Sequence, residues 1–294
     1  MTTAIRPRRS ALYMPGSNPR ALEKGRSLAA DILIMDLEDS VTPDKKQAAR
    51  DNIKAALGEG GYGAREIMVR VNHLDTDHGA EDIRQMAACG ADALLMPKTE
   101  DAATLRSALD LMMEAGAPDH MKLWFMIETP KGILRAEEIA GASDRLGGIV
   151  LGTADLTKEL HCLKTADRLP YLYSLGHCIV VARAYGLAII DGPFEDLNDD
   201  AGFAAICQQS LEWGFDGKSL IHPKTIATAN ETFGPSPADI ERAKRVISAF
   251  AEAEAKSQGV TLLDGQLVER LHVEDARRVL ALAEKAAEIA AQSE

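Results

Sequence analysis

Eight short apolar runs recur between Ala11 and Ile221, and their spacing constrains the fold more than any other feature. They are Ala11–Met14, Ile32–Met35, Ile67–Val71, Ala93–Met96, Leu123–Ile127, Ile149–Leu151, Leu187–Ile190 and Lys218–Ile221. They lack polar alternation, as parallel strands buried on both faces do. Their starts lie about 30 residues apart, the size of a βαβ unit. Helical patterns fill the intervals: Ala21–Ala29, Lys45–Leu57, Ala80–Cys89, Ala102–Glu114, Ile133–Ile139, Tyr171–Tyr185, Ala201–Trp213 and Lys224–Phe233. Gly90, Gly116, Gly186 and Gly214 stand where such helices should stop. Eight units of this kind predict an α/β fold, a closed (β/α)₈ TIM barrel. A doubly wound open sheet would use fewer strands and carry a Gly-rich phosphate loop after the first. Tyr13-Met14-Pro15-Gly16-Ser17 is no such loop.

The barrel should occupy residues 1–233. Gly234-Pro235-Ser236-Pro237 breaks the pattern, leaving a C-terminal helical extension over 234–294. It reads as a helix Ala238–Lys256, a turn or short hairpin Gly259–Gly265 and a last helix His272–Ala291. Such an extension serves as a lid or as a solvated cap under the barrel; the pattern does not separate the two.

Charge and apolar content narrow the function classes. The formal net charge is −12, which argues against a broad nucleic-acid-binding surface. No apolar run approaches the roughly 18 to 20 residues of a membrane span, and Met1–Arg9 lacks the apolar stretch of a signal peptide. Cys89, Cys162, Cys178 and Cys207 form no C-x-x-C pair. The expectation is a cytoplasmic protein with reduced thiols.

Barrel enzymes place their chemistry at the C-terminal ends of the strands. The residues following the eight runs are Pro15-Gly16-Ser17, Asp36-Leu37-Glu38-Asp39, Asn72 after Arg70, Pro97-Lys98, Glu128-Thr129-Pro130, Gly152-Thr153-Ala154-Asp155, Asp191-Gly192 and His222-Pro223. Asp36, Glu38, Glu128 and Asp155 should therefore converge on one mouth. Unpaired carboxylates repel, and a divalent cation such as Mg²⁺ relieves that. The alternative for Asp36 and Asp155 is helix capping; Glu128 is a poor cap. Arg70 lies in a strand that reads as buried and needs an anionic partner, either a substrate group or a structural pair with Asp36 or Glu38. Lys98 reads as a structural partner. His222 is open between base, substrate donor and core residue.

In order along the chain, Arg9-Ser10 to Gly16-Ser17, Asp36-Leu37-Glu38-Asp39 with Lys45 and Ala49-Arg50, Val69-Arg70-Val71-Asn72, Met96-Pro97-Lys98, Ile127-Glu128-Thr129, Gly152-Thr153-Ala154-Asp155-Leu156 and Gly217-Lys218 to Ile221-His222-Pro223 resemble the citrate lyase β-subunit-like proteins. That family includes malyl-CoA lyases, citramalyl-CoA lyases and malyl-CoA thioesterases. The resemblance implies a Mg²⁺-dependent barrel acting on acyl-CoA thioesters and 2-oxoacids, in a homotrimer or a hexamer. It implies Glu128 and Asp155 as metal ligands, with Glu128 and Ala154 also at the substrate. Arg70 would contact the substrate carboxylate or thioester oxygen, and Asp36 would hold a metal-bound water. Tyr13, Lys24, Ile221 and His222 would line the acyl-CoA site.

Gly265-Gln266-Leu267-Val268-Glu269 resembles the family's lid motif, which usually ends in a catalytic Asp supplied to a neighbouring subunit; Glu269 stands in that place. Asn18 stands where several malyl-CoA lyases have an Arg for the CoA phosphates. The expected reaction is carbon–carbon cleavage of a 3-hydroxyacyl-CoA of the malyl, citramalyl or citryl type to acetyl-CoA and a 2-oxoacid, or its reverse. The alternatives are a (3S)-malyl-CoA thioesterase, a non-catalytic acyl-binding subunit of a citrate lyase complex and a CoA-independent aldolase.

Overall fold

A computed structural model describes residues 5–255 and 257–293. Eight parallel strands close into a barrel: β1 (Ser10–Pro15), β2 (Ile32–Asp36), β3 (Glu66–Arg70), β4 (Ala93–Met96), β5 (Lys122–Ile127), β6 (Leu146–Leu151), β7 (Ala188–Asp191) and β8 (Gly217–Leu220). Each strand pairs with its successor, and β8 pairs with β1 through Ala11 opposite Ser219. The expected barrel is thus present, with helices around it and helices after it.

Period-2 alternation sorts each strand into inward and outward residues. Ala11, Ile32, Ile34, Met68, Ala93, Leu95, Trp124, Met126, Val150 and Ile190 pack together inside the barrel. Their outward neighbours, such as Leu12, Leu33, Val69, Leu94, Phe125 and Ile189, pack with the helices in a larger core. Continuing the inward parity to the strand tops places Tyr13, Asp36, Arg70 and Glu128 in the mouth. The outward parity places Asp191 and Lys218 between sheet and helices.

Some elements depart from the sequence reading. β6 begins at Leu146, before the expected Ile149, because Gly147 and Gly148 continue the strand without apolar side chains. A β-carbon on either would overlap the Trp124 ring, so the absent side chains make room for the largest residue in the barrel. The expected helix Ala21–Ala29 is shorter, Pro19–Gly25, and its N-cap is Asn18, whose side chain accepts the Ala21 N–H. Ile133–Ile139 resolves into two short helices, Pro130–Leu134 and Ala136–Ala140. A helix at Thr153–Glu159 has no counterpart in the sequence reading.

The extension is a helical hairpin. Helix Pro237–Ala255 packs on helix Arg270–Ala291 around Ala243, Val246, Phe250, Val268, Val273 and Ala276. The expected end of the first helix, Lys256, lies outside the described residues. Between the helices, β9 (Thr261–Leu263) and β10 (Gln266–Val268) pair antiparallel. Asp264 and Gly265 form the two-residue turn, both at positive φ, 51° and 77°, as such turns require. The far end of the last helix reaches the start of β3: Ser293 accepts a hydrogen bond from Arg65, and Gln292 accepts one from the Ala64 N–H. Along its length Arg278 approaches Asp216, just before β8. The last helix therefore sits under the barrel, at the end opposite the mouth.

Candidate active site at the barrel mouth

Arg70 ends β3 and Asp36 ends β2, on adjacent strands in register. Arg70 Nε and Nη2 donate to the two Asp36 oxygens at 2.7 and 2.8 Å, a bidentate pair. Nη1 lies 2.9 Å from Glu38 Oε2, and the exposed Asp39 is farther, at 3.8 Å. The Arg70 guanidinium also stacks over the Tyr13 ring, 4.7 Å from its centroid. The structural pair that the sequence left open is thus made, with both acids.

Asp36 is fully engaged by the protein. Besides Arg70, it accepts the Glu38 N–H, the Ser40 N–H and the Ser40 hydroxyl. Burial pushes its carboxyl up, but the Arg70 and Ser40 bonds outweigh that and hold it below the usual range. Arg70 shows the reciprocal effect: burial opposes its charge, and Asp36 raises it well above the ordinary value. Both shifts favour the charged form of this pair.

Glu128 has a different environment. It follows β5, is 4% exposed, and takes the Lys98 N–H on Oε1 at 2.7 Å. That amide is aimed inward because Lys98 adopts a left-handed backbone, φ 47°, a strained state for a residue with a β-carbon. Oε2 lies against Gly152, where any β-carbon would overlap it. Burial pushes the Glu128 carboxyl up to about 7; the Lys98 amide opposes this, while the charges of Glu38 and Asp155 add to it. Asp155 sits in the first turn of helix Thr153–Glu159, partly exposed. Glu38, held between Arg70 and Lys98 Nζ (2.9 Å), is also raised, because burial outweighs both cations.

The remaining predicted residues are dispersed. Ala154 is beside Asp155, partly buried. Tyr13 donates to the Met126 sulfur, and burial raises its hydroxyl. Ile221 and His222 are exposed just past β8, and His222 Nδ1 caps the next turn by accepting the Lys224 N–H. Lys24 is exposed on helix Pro19–Gly25. Glu269 is not brought to this mouth: it is the N-cap of the last helix, and its N–H donates to His272 Nδ1.

No group of three or more metal-ligating side chains forms among the described residues. Glu128 and Asp155 nevertheless fit a hard divalent ion, which binds through one or two carboxylates and completes its shell with water and substrate oxygens. Glu128, buried and raised, has Asp155 as a neighbouring negative charge.

Two features escaped the sequence reading. Lys46, not its neighbour Lys45, is buried, with Nζ donating to Leu37 O, Glu38 O and Asn72 Oδ1. Outside the barrel wall, Asp191 Oδ2 takes Lys218 Nζ, Arg168 Nη1 and the Ser210 hydroxyl, all within 2.7 Å. The signal for the second was ionisable residues at outward positions of buried strands.

The family described as HpcH/HpaI aldolase/citrate lyase matches residues 9–223. A (3S)-malyl-CoA thioesterase of Cereibacter sphaeroides is 49% identical over 97% of both chains. The citrate lyase subunit beta of Leuconostoc mesenteroides subsp. cremoris is 38% identical over 94% of this chain and 93% of its own. Among solved structures, CitE of Mycobacterium tuberculosis in complex with magnesium, acetoacetate and coenzyme A superposes with a TM-score of 0.72 at 27% identity. It covers 94% of this chain and 97% of its own.

Proposed function

The chain belongs to the HpcH/HpaI aldolase/citrate lyase family, and from that premise we propose that it is a Mg²⁺-dependent enzyme acting on a CoA thioester of the (3S)-malyl type. The observation that carries this is Glu128, a buried carboxylate at the top of β5 with Asp155 as a neighbouring charge, near the bidentate Arg70–Asp36 pair. Glu128 and Asp155 would hold the ion, with Ala154 beside them at the substrate. Bound magnesium would supply Lewis-acid polarisation of the substrate oxygens.

Arg70, kept cationic and immobile by Asp36, binds the acyl carboxylate or the oxygen on which negative charge develops. Asp36, with both oxygens engaged by protein donors, acts by positioning Arg70. Tyr13 forms the apolar wall beneath the guanidinium. Lys24, Ile221 and His222, all exposed, take the CoA moiety.

Hydrolysis is the leading reading. Water attacks the thioester carbonyl, the carbon–sulfur bond breaks, and CoA leaves as the thiol. Its support is the 49% identity to a named malyl-CoA thioesterase, against 38% to a citrate lyase subunit. This inverts the order expected from the motifs alone. Carbon–carbon cleavage is the second reading, favoured by Arg70 at the mouth, where an enolate oxygen would need a fixed cation. Product analysis by mass decides: free CoA with malate supports hydrolysis, and acetyl-CoA with glyoxylate supports cleavage. No turnover of malyl-CoA with Mg²⁺ would overturn both.

The proton-transfer group is assigned to Glu269 of another copy in a trimer or hexamer. Glu269 lies away from its own mouth, and the hairpin beside it exposes Val260, Leu262, Leu267 and Leu271, an apolar patch suited to a second chain. Co-expressed Glu128→Gln and Glu269→Gln chains, each inactive alone, should regain partial activity in mixed oligomers. Mixed oligomers as inactive as their parents would remove this assignment.

A further inference from the structure

The strand starts and the last helix enclose a cleft of about 290 Å³ on the face opposite the mouth. Five guanidiniums line it: Arg6, Arg8, Arg9, Arg183 and Arg278. Three have a carboxylate each, Arg6 with Asp92, Arg8 with Glu66 and Arg9 with Asp31, at 3.0, 2.7 and 2.7 Å. Arg183 grips both oxygens of Asp216, at 2.9 and 3.0 Å, and Asp216 Oδ2 also accepts the Ile189 N–H. Asp216 thus takes three donors, two of them on Oδ2. Arg278 comes no nearer to it than 3.8 Å, stays 60% exposed, and makes no hydrogen bond among the described residues. Five cations thus meet four anions at one place, in a chain of net charge −12.

We propose that this cleft binds a small oxyanion, a phosphate- or carboxylate-bearing molecule, between Arg278 of the extension and Arg183 and Arg6 of the barrel. The planar guanidinium fork matches both groups. The volume lies at the lower edge of the roughly 300–1,000 Å³ of small-molecule pockets, which suits a short metabolite rather than a nucleotide. Leu187, Phe233 and Leu282 supply apolar wall for a short carbon skeleton. Because Arg278 belongs to the last helix, an occupied cleft ties that helix to the barrel.

The test is calorimetric titration of the full chain, without Mg²⁺, with orthophosphate and separately with malonate. At least one should bind saturably, and the stronger of the two identifies the recognised group. Arg278→Ala should weaken that binding about tenfold or more, the scale of one lost charged hydrogen bond, and Arg278→Lys should weaken it less. Glu128→Gln should bind the anion as the wild type does, since the mouth is not involved. Hydrogen exchange over 270–291 should slow when the anion is present. No saturable binding up to tens of millimolar would overturn the proposal. So would equal affinity in Arg278→Ala, or loss of binding in Glu128→Gln.

Discussion

The mouth gathers five carboxylates, Asp36, Glu38, Asp39, Glu128 and Asp155, against Arg70 and Lys98, whereas the opposite end gathers five arginines against four carboxylates. The imbalances have opposite signs. At the lower end most charges are matched one to one, Arg9 with Asp31 and Arg8 with Glu66, so those pairs tie the segment before β1 to the segment before β2 and to β3. At the mouth the two cations are occupied by Asp36 and Glu38, and among the described residues neither Glu128 nor Asp155 makes a salt bridge. The comparison teaches that pairing builds the scaffold and that the unmatched residue marks the site: an unmatched carboxylate pair asks for a cation, an unmatched guanidinium for an anion.

Breaking the mouth should have the largest effect. Glu128→Gln or Asp155→Asn should lower kcat/KM by about 10³-fold, the upper range for one lost electrostatic stabiliser, with secondary structure unchanged by circular dichroism. Breaking a matched pair at the other end should do the reverse. Arg9→Met leaves Asp31 buried and unpaired and should cost about 3 kcal/mol in urea unfolding, while kcat of the folded enzyme is retained.

The raised Glu128 carboxyl sharpens the contrast through pH. A carboxyl with a folded pKa near 7, above its unfolded value of 4.5, binds protons more tightly in the folded state. Its contribution therefore lowers stability as pH rises from about 4.5 to 7, by about 3 kcal/mol in total. In metal-free protein, Glu128→Gln should abolish that part of the decline and be the more stable chain at pH 8. Equal pH–stability curves for the two proteins would show that Glu128 titrates normally. The smallest effect is expected of Arg70→Lys, which keeps the charge but loses the fork on Asp36. We expect about a 10- to 50-fold loss in kcat/KM with unchanged Mg²⁺ dependence; near-normal kinetics would reduce Arg70 to a structural ion.

The barrel was legible because its strands are buried on both faces and so read as apolar runs. β6 was legible only in part, since Gly147 and Gly148 extend it by leaving space for Trp124 rather than by being apolar. The convergence of Asp36, Arg70 and Glu128 follows from strand parity and was readable. That Arg70 pairs with both Asp36 and Glu38 at once was not, because it depends on side-chain reach. The Arg168–Asp191–Lys218 cluster joins a loop to two strands, a contact no local pattern records. The seating of the last helix under the barrel was equally hidden, since an amphipathic helix states which face is apolar and not what it covers.

The central claim is that Glu128 and Asp155 form a divalent-cation site, and Mg²⁺ titration calorimetry at pH 8 addresses it without any substrate. The account predicts one saturable site per chain in the wild type and none in either Glu128→Gln or Asp155→Asn. Wild-type protein that binds no Mg²⁺, or variants that bind it as the wild type does, would contradict it.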